Sequence, residues 1–292
     1  DLWHQMYIID DGESLGNSFF KFRQAVCTPK QVGPSANMLK WEDKEGASDA
    51  VSKLMEPRTI RHKFEDCLSI PPNFEYPVFY ELTTKQQKAY ESMKDAQIAQ
   101  LTSGSTVINA VNAAAVTTKL LQISSGAVYD EDGEAQLVDT GRYETVLDLA
   151  EQRKHTVIFF LWKHQKEHLI AEAKRRKITH CLIDGTVSDT DRNNAVNLFQ
   201  QGMYRICFAH PQSAAHGLTL TKGTATIWAS PTYNLEHYQQ GFRRIYRAGQ
   251  TEKTETIVVV AKNTIEERVW EALKNKKVKM DELLTQLTEG GM

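Results

Sequence analysis

Five short apolar runs, interleaved with helical stretches, restrict the fold of this chain more than any other feature of its sequence. They are Thr156–Leu161 (TVIFFL), His180–Asp184 (HCLID), Arg205–His210 (RICFAH), Ala225–Ala229 (ATIWA) and Thr256–Val260 (TIVVV). Each is rich in β-branched or aromatic residues and apolar at successive positions. Both faces of such a strand must be covered, which is the condition of a strand buried in a parallel sheet. Between the runs, residues 163–176, 189–201 and 234–247 carry helical patterns. Ser188 and Asp191 have the spacing of a capping box before the second of these, and Gly202 stands where that helix should stop. Strand and helix in alternation predict a parallel α/β sheet with helices on both faces.

The first half has a different pattern. Residues 13–27, 84–101 and 107–123 are expected to be helical, with LTSGSTVINA (101–110) as a flexible turn between the last two. Residues 28–57, which include Gly33, Pro34 and Gly46, have weak periodicity and are expected to be partly loop. The acidic run Asp130–Glu134 is expected to be a hairpin or a loop. A last helix begins at Thr264, where Thr264 and Glu267 are spaced as a capping box and Ile265, Val269, Leu273, Leu283, Leu284 and Leu287 recur near helical period. Its basic stretch, Lys274–Lys279, is read as a solvated face.

Charge is uneven along the chain. Residues 1–150 hold 14 Lys/Arg against 22 Asp/Glu, and residues 151–292 hold 21 against 15. Either a polyanion partner favours the second half or the surface charge is merely uneven. The four cysteines form no CxxC pair, which fits a reduced, intracellular protein without structural zinc. His155, His180 and His210 lack metal-ligand spacing, so no metal site is expected. No apolar run reaches the roughly 18–20 residues of a membrane span, and no secretory signal opens the chain. The sequence starts in mid-pattern at Asp1 and is expected to be part of a longer protein.

The chemistry concentrates in Gln240-Gly-Phe-Arg-Arg244-Ile-Tyr-Arg247-Ala-Gly-Gln250-Thr. On a helix, Gln240, Arg244 and Arg247 share one face. Guanidinium groups are planar, permanently charged, forked donors that suit a phosphate chain. The plain alternative is an exposed basic helix end favoured by the helix dipole.

This stretch resembles motif VI of the Swi/Snf-type helicase-like translocases of superfamily two, with Gly241 where that family usually has Ala. Other segments are similar to the family in order and spacing. VIFFLWKHQKEHL (157–169) resembles motif IV, LIDGTVSDTDRNNAVNLFQ (182–200) the Asp-Gly stretch, and CFAHPQSAAHGLTLTKGTATIW (207–228) motif V. ASPTYNLEHYQQ (229–240) resembles the segment that follows motif V. Residues 1–27 resemble the end of a first motor lobe, and residues 60–93 the crossover to the second.

The resemblance implies a RecA-like second lobe at 141–262. The end of a first lobe and the crossover precede it at 1–70, a helical protrusion and lobe entry at 71–140, and a bracing helix follows at 263–292. It implies ATP with Mg2+ bound between two lobes and held mainly by the first. Arg247 is expected to be the finger on the γ-phosphate, with Arg244 and Gln240 as helpers. Gly217 and Thr219 are expected at the nucleotide, although Thr219 replaces the family's usual Asn. Contacts to double-stranded DNA, independent of base sequence and sensitive to salt, are expected at Gly185, Thr186, Ser213, Ala214, Trp162 and Lys163. Arg192 either joins them or forms a salt bridge in its own helix. Trp228 and Trp270 are read as packing residues. No Gly-x-x-x-x-Gly-Lys-Ser/Thr phosphate loop occurs in the sequence. The chain is therefore expected to hydrolyse no ATP unaided and to work with a first RecA-like lobe of the same protein. A strand-separating helicase and a non-catalytic docking module are the rival readings.

Overall fold

A computed structural model describes residues 2–32, 37–60, 67–102, 110–214 and 217–289. The chain divides into two compact units, Leu68–Lys274 and a smaller one of Asp1–Cys67 with Asn275–Met292.

The smaller unit contains α1 (Leu2–Asp10), α2 (Phe19–Val26), an antiparallel hairpin of β1 (Cys27–Gln31) and β2 (Leu39–Asp43), and α3 (Ala47–Met55). Trp3, Met6, Leu15, Val51 and Met55 form its core. The helix expected over 13–27 starts only at Phe19, because the Asp10 carboxylate accepts the amides of Gly12 (3.1 Å) and Ser14 (2.9 Å) and holds a turn. Within 28–57, the described residues hold more regular structure than their periodicity suggests. The hairpin strands are polar and mostly exposed, so they lack the alternation that marks a half-buried strand. Gly33 and Pro34 lie outside the described residues.

The larger unit runs β3 (Asn73–Tyr80), α4 (Thr84–Thr102), α5 (Ala110–Ser125), β4 (Ala127–Tyr129), β5 (Ala135–Leu137), α6 (Gly141–Glu151), β6 (Thr156–Phe159) and α7 (Lys163–Arg175). It continues with β7 (His180–Ile183), α8 (Asp189–Gln200), β8 (Ile206–Ala209), α9 (Pro211–Ala214), β9 (Ala225–Trp228), α10 (Leu235–Phe242), β10 (Thr254–Ala261) and the start of α11 (Ile265–Glu289), whose residues from Asn275 onward belong to the smaller unit. Six strands form one sheet in the order β3-β10-β9-β6-β8-β7, and every pairing is parallel.

Five of these strands are the apolar runs read from the sequence. The sixth, β3, is an addition: NFEYPVFY carries Pro77, which speaks against a strand. On an edge strand every second N–H points away from the sheet, and Pro is tolerated there. Helices α6 and α7 cover one face through Tyr143, Val146, Leu147, Ala150, Leu169 and Ala173. Aromatic packing covers the other, where Trp228 is fully buried, stacks on Phe159 at 4.6 Å, and meets Tyr238 of α10. Trp270 of α11 touches Tyr238 in turn, so both tryptophans are packing residues.

Helices α4 and α5 pack through Tyr90, Leu120 and Ile123. The turn expected between them falls largely on residues 103–109, outside those described. The acidic run is the turn of the β4–β5 hairpin, organised by Asp130, whose carboxylate accepts the amides of Asp132 (3.1 Å) and Glu134 (2.9 Å). Ser188 caps α8 by accepting the Asp191 amide at 3.2 Å, and Gly202, at φ +79°, follows its end. Among the described residues no helix is long and apolar enough to cross a membrane.

Candidate functional site

Because all six strands are parallel, their carboxyl ends share one edge of the sheet. The loops leaving neighbours β6, β8 and β7 bring Trp162 and Lys163, then Ser213 and Ala214, then Gly185 and Thr186 to that edge. In open α/β sheets this is the edge at which ligands bind.

The Asp-Gly turn after β7 is built on Asp184. One carboxylate oxygen accepts both the Thr186 amide (2.9 Å) and hydroxyl (2.6 Å), and the other takes Lys166 Nζ at 2.8 Å. Burial works to raise the Asp184 carboxyl, but these donors outweigh it and hold the group below its usual range. Asp184 thus ties the turn to α7, while Gly185 and Thr186 remain exposed. Ser213 and Ala214 sit in the one-turn helix α9, where both amides donate to His210 O at 3.0 Å. Ser213 is half-buried, and the Ala214 methyl is buried. Lys163 is exposed and lies 3.9 Å from Glu167. Arg192 forms the ion pair of its structural reading, with Nη1 3.1 Å from Asp189.

Beneath this edge runs a buried polar network that the sequence pass missed. Arg142, fully buried, pairs with the equally buried Glu266 at 2.7 Å and donates to Ala229 O (2.8 Å) and Ser230 Oγ (3.0 Å). Gln165 donates to the same Ser230 hydroxyl at 2.7 Å, and its Oε1 accepts the amides of Leu161 and Trp162. The chain of contacts fixes the end of β6 against the ends of β9 and β10. Its signal in the sequence was an arginine on the apolar face of α6, in register with Val146 and Ala150. His164 is buried beside it, bonded through Nε2 to Ser125 Oγ (2.8 Å) and through Nδ1 to Tyr129 OH (3.1 Å). Burial, with the neighbouring His168 and Arg142, pushes its pKa down to about 3.

The arginine-bearing stretch departs from the expected helix. Regular helix ends at Phe242, and tighter turns carry the chain through Arg244 and Tyr246. Gly241 accounts for the departure from the resembled motif. A methyl there would stand 2.8 Å from Trp228 Cζ2 and 3.0 Å from Phe159 Cε2, so the stacked pair occupies the place of an alanine side chain. Burial first, and then the charge of Arg247, depress the Arg244 guanidinium below its ordinary value. Arg247 is half-buried and donates from Nη1 to Leu218 O at 3.1 Å. That bond joins it to the segment containing Gly217 and Thr219. Gly217 has a left-handed φ of +62°, and a Cβ there would meet no atom within 4 Å. Gly217 is exposed. Gln240, by contrast, donates its amide to Glu236 one turn back in α10, at 2.9 Å. The structure thus joins Arg247 and Arg244 to the Gly217 segment and gives Gln240 a different partner. Ala215 and His216 lie outside the described residues.

Comparison with known proteins agrees with this fold. Residues 141–249 match the helicase conserved C-terminal domain. Over 97% of its length the chain is 29% identical to protein p41 of Acyrthosiphon pisum secondary endosymbiont phage 1, of which it spans 61%. Over 85% of its length it is 24% identical to an uncharacterized ATP-dependent helicase, MG018, of Mycoplasma genitalium, of which it spans 25%. Among solved structures, the Sulfolobus solfataricus SWI2/SNF2 ATPase C-terminal domain superposes with a TM-score of 0.51 at 17% identity, covering 70% of this chain and 86% of that one. Residues 141–249 are therefore similar to the helicase conserved C-terminal domain, and the sheet has the RecA-like fold seen in the SWI2/SNF2 carboxy-terminal lobe.

Proposed function

We propose that this chain is the second half of an ATP-dependent motor that translocates on double-stranded DNA, and that Arg247 is its arginine finger. The observation that carries this reading is the joining of Arg247, through Leu218 O, to the segment of the exposed Gly217, with Arg244 O accepting Leu220 N of the same segment. A pair of permanent cations beside an exposed, left-handed glycine suits the oxygens of a polyphosphate and offers little to a neutral ligand. When bound, ATP with its Mg2+ supplies the phosphoryl group whose transfer drives the motor. Phosphate-cradling and metal-holding groups belong, on this reading, to a first lobe. This chain's part is to place guanidinium charge where negative charge develops on the transferred group.

The loops at Trp162–Lys163, Gly185–Thr186 and Ser213–Ala214 would follow the phosphates of one DNA strand. Small, polar and backbone groups at the carboxyl edge position a duplex without reading its bases. Arg192, engaged with Asp189, contributes there only by exchanging that partner.

The test is Arg247→Ala in the full-length protein, assayed for DNA-stimulated ATP hydrolysis and nucleotide binding. Turnover should fall by roughly 10³-fold or more, as for other arginine fingers, while nucleotide affinity stays within a few-fold. Normal turnover in the variant would exclude the finger role. Unwinding of a plain duplex by the wild-type protein would favour a strand-separating helicase over a translocase.

A further inference from the structure

Gln250 closes the arginine-bearing motif and has no charge to offer a nucleotide, yet it is more completely buried than either arginine. Its side chain is saturated with backbone partners. Nε2 donates to Thr221 O (3.0 Å), Gly223 O (3.0 Å) and Ile245 O (3.1 Å). Oε1 accepts the amides of Thr251 (3.0 Å) and Glu252 (2.9 Å). The amide therefore spans two segments of chain, one descending from Gly217 and the other carrying Arg244 and Arg247.

Further contacts fasten the same crossing. Leu220 N donates to Arg244 O at 2.9 Å. Gly223 passes so close to the arginine turn that an added Cβ would stand 2.7 Å from Ile245 Cγ2. With the Arg247–Leu218 bond, the crossing is tied at its start, its middle and its end. Once regular helix has ended at Phe242, the turn keeps only short-range bonds of its own, such as Arg244 N to Gly241 O and Tyr246 N to Phe242 O. Bonds from outside the turn fasten it to the Gly217–Gly223 segment.

We propose that Gln250 is a positioning residue that locks the Arg244–Arg247 turn to the Gly217–Gly223 segment, so that arginine and exposed glycine move as one rigid piece. This rests on the reading of Arg247 as a finger on a bound phosphate. A finger acts only from a defined position, and a misplacement near 1 Å can cost on the order of 100-fold in rate. Gln250 reaches no phosphate itself; it acts through the carbonyls it holds.

Two variants test the assignment. Gln250→Met preserves shape and removes every hydrogen bond. Gln250→Glu keeps an acceptor for Thr251 and Glu252 and removes the donation to the three carbonyls, and it gives a readable result if the first variant fails to fold. Amide hydrogen exchange on this chain is read at Leu220 and Gly223, with the β6 and β9 amides as the internal reference. ATP turnover is read in the full-length protein. Faster exchange confined to the crossing, with kcat down by roughly 10- to 100-fold and KM for ATP nearly unchanged, is the expected result. Unaltered exchange at Leu220 and Gly223 overturns the latch. Loosened exchange with wild-type kcat overturns the positioning role while leaving the finger intact. Failure of the finger reading itself would show separately, as undiminished turnover in Arg247→Ala.

Discussion

Replacing Gly241 by the alanine usual in the resembled motif should destabilise this protein, although alanine is the better helix former. The added methyl would lie 2.8 Å from Trp228 Cζ2, 3.0 Å from Phe159 Cε2 and 3.2 Å from Phe159 Cζ. Both rings are fully buried and stacked, so neither can swing aside as the end of an exposed side chain would. Forcing a methyl into a filled core costs about 1–3 kcal/mol. Against this, Ala gains about 1 kcal/mol over Gly inside a helix. The net expectation is a loss of about 1 kcal/mol, with a range of roughly 0–2 kcal/mol from the same two terms. Urea unfolding followed by far-UV circular dichroism, on the wild type, Gly241→Ala, Trp228→Phe and the double variant, separates the two contributions. Trimming the indole opens the contested space, so the alanine should stabilise the Trp228→Phe background, with a coupling of about 1 kcal/mol or more. A stabilising Gly241→Ala in the wild type, or additive effects in the double variant, would refute the steric explanation.

Two further expectations concern the buried network. Arg142→Met strands the Glu266 carboxylate without its cation in a site with no solvent exposure, and it should cost about 3–5 kcal/mol in urea unfolding. Adding Glu266→Gln should recover part of that loss, and no recovery would show that the charge is not the cause. His164 sets a pH dependence. Its folded pKa of about 3 lies below the ordinary 6.5, so the unfolded chain binds the extra proton between these values. The stability it contributes is whole above about pH 6.5 and is lost on acidification, by about 2 kcal/mol between pH 7 and pH 5. His164→Gln should flatten that part of the stability profile, and an unchanged slope would mean that other groups carry it.

How much could be read in advance follows from what each residue's role depends on. The parallel sheet was legible because burial on both faces imposes unbroken apolar runs, and five of six strands announced themselves so. Strand β3 did not, because an edge position relaxes the rule and admits Pro77. The caps at Ser188 and Thr264 act within a few residues of their helices, the Ser188 hydroxyl accepting the Asp191 amide at 3.2 Å and the Thr264 hydroxyl the Glu266 amide at 3.1 Å. Local effects of this kind are visible in local sequence. Arg244, Arg247 and Gly217 were singled out through the pattern they share with a family, and the structure adds bonds from Arg247 to Leu218 O and from Leu220 N to Arg244 O. Arg142 and Gln165 were passed over, and Gln250 was quoted without a role, because partners such as Glu266, Ser230 and the Thr221 and Gly223 carbonyls lie far along the chain. Arg142 meets Glu266 across 124 positions, and no window of sequence displays such a pairing. Gln240 was placed with the arginines by helical spacing; the structure adds that its amide nitrogen donates to Glu236 while its Oε1 is buried without a protein partner.

The edge strand also bears on how the protein is made. Every residue of β3 lies beside a partner in β10 that is synthesised 181 positions later, from Asn73 with Thr254 to Tyr80 with Ala261. At elongation rates of roughly 5–20 residues per second, β3 emerges some 10–35 s before the strand that will shelter it. Throughout that interval its aromatic side chains stand beside bare backbone, a condition that invites pairing with another nascent chain. Pro77 in the middle of the strand interrupts any such ladder. The residue that hid β3 from a reader of the sequence would also guard it on the ribosome.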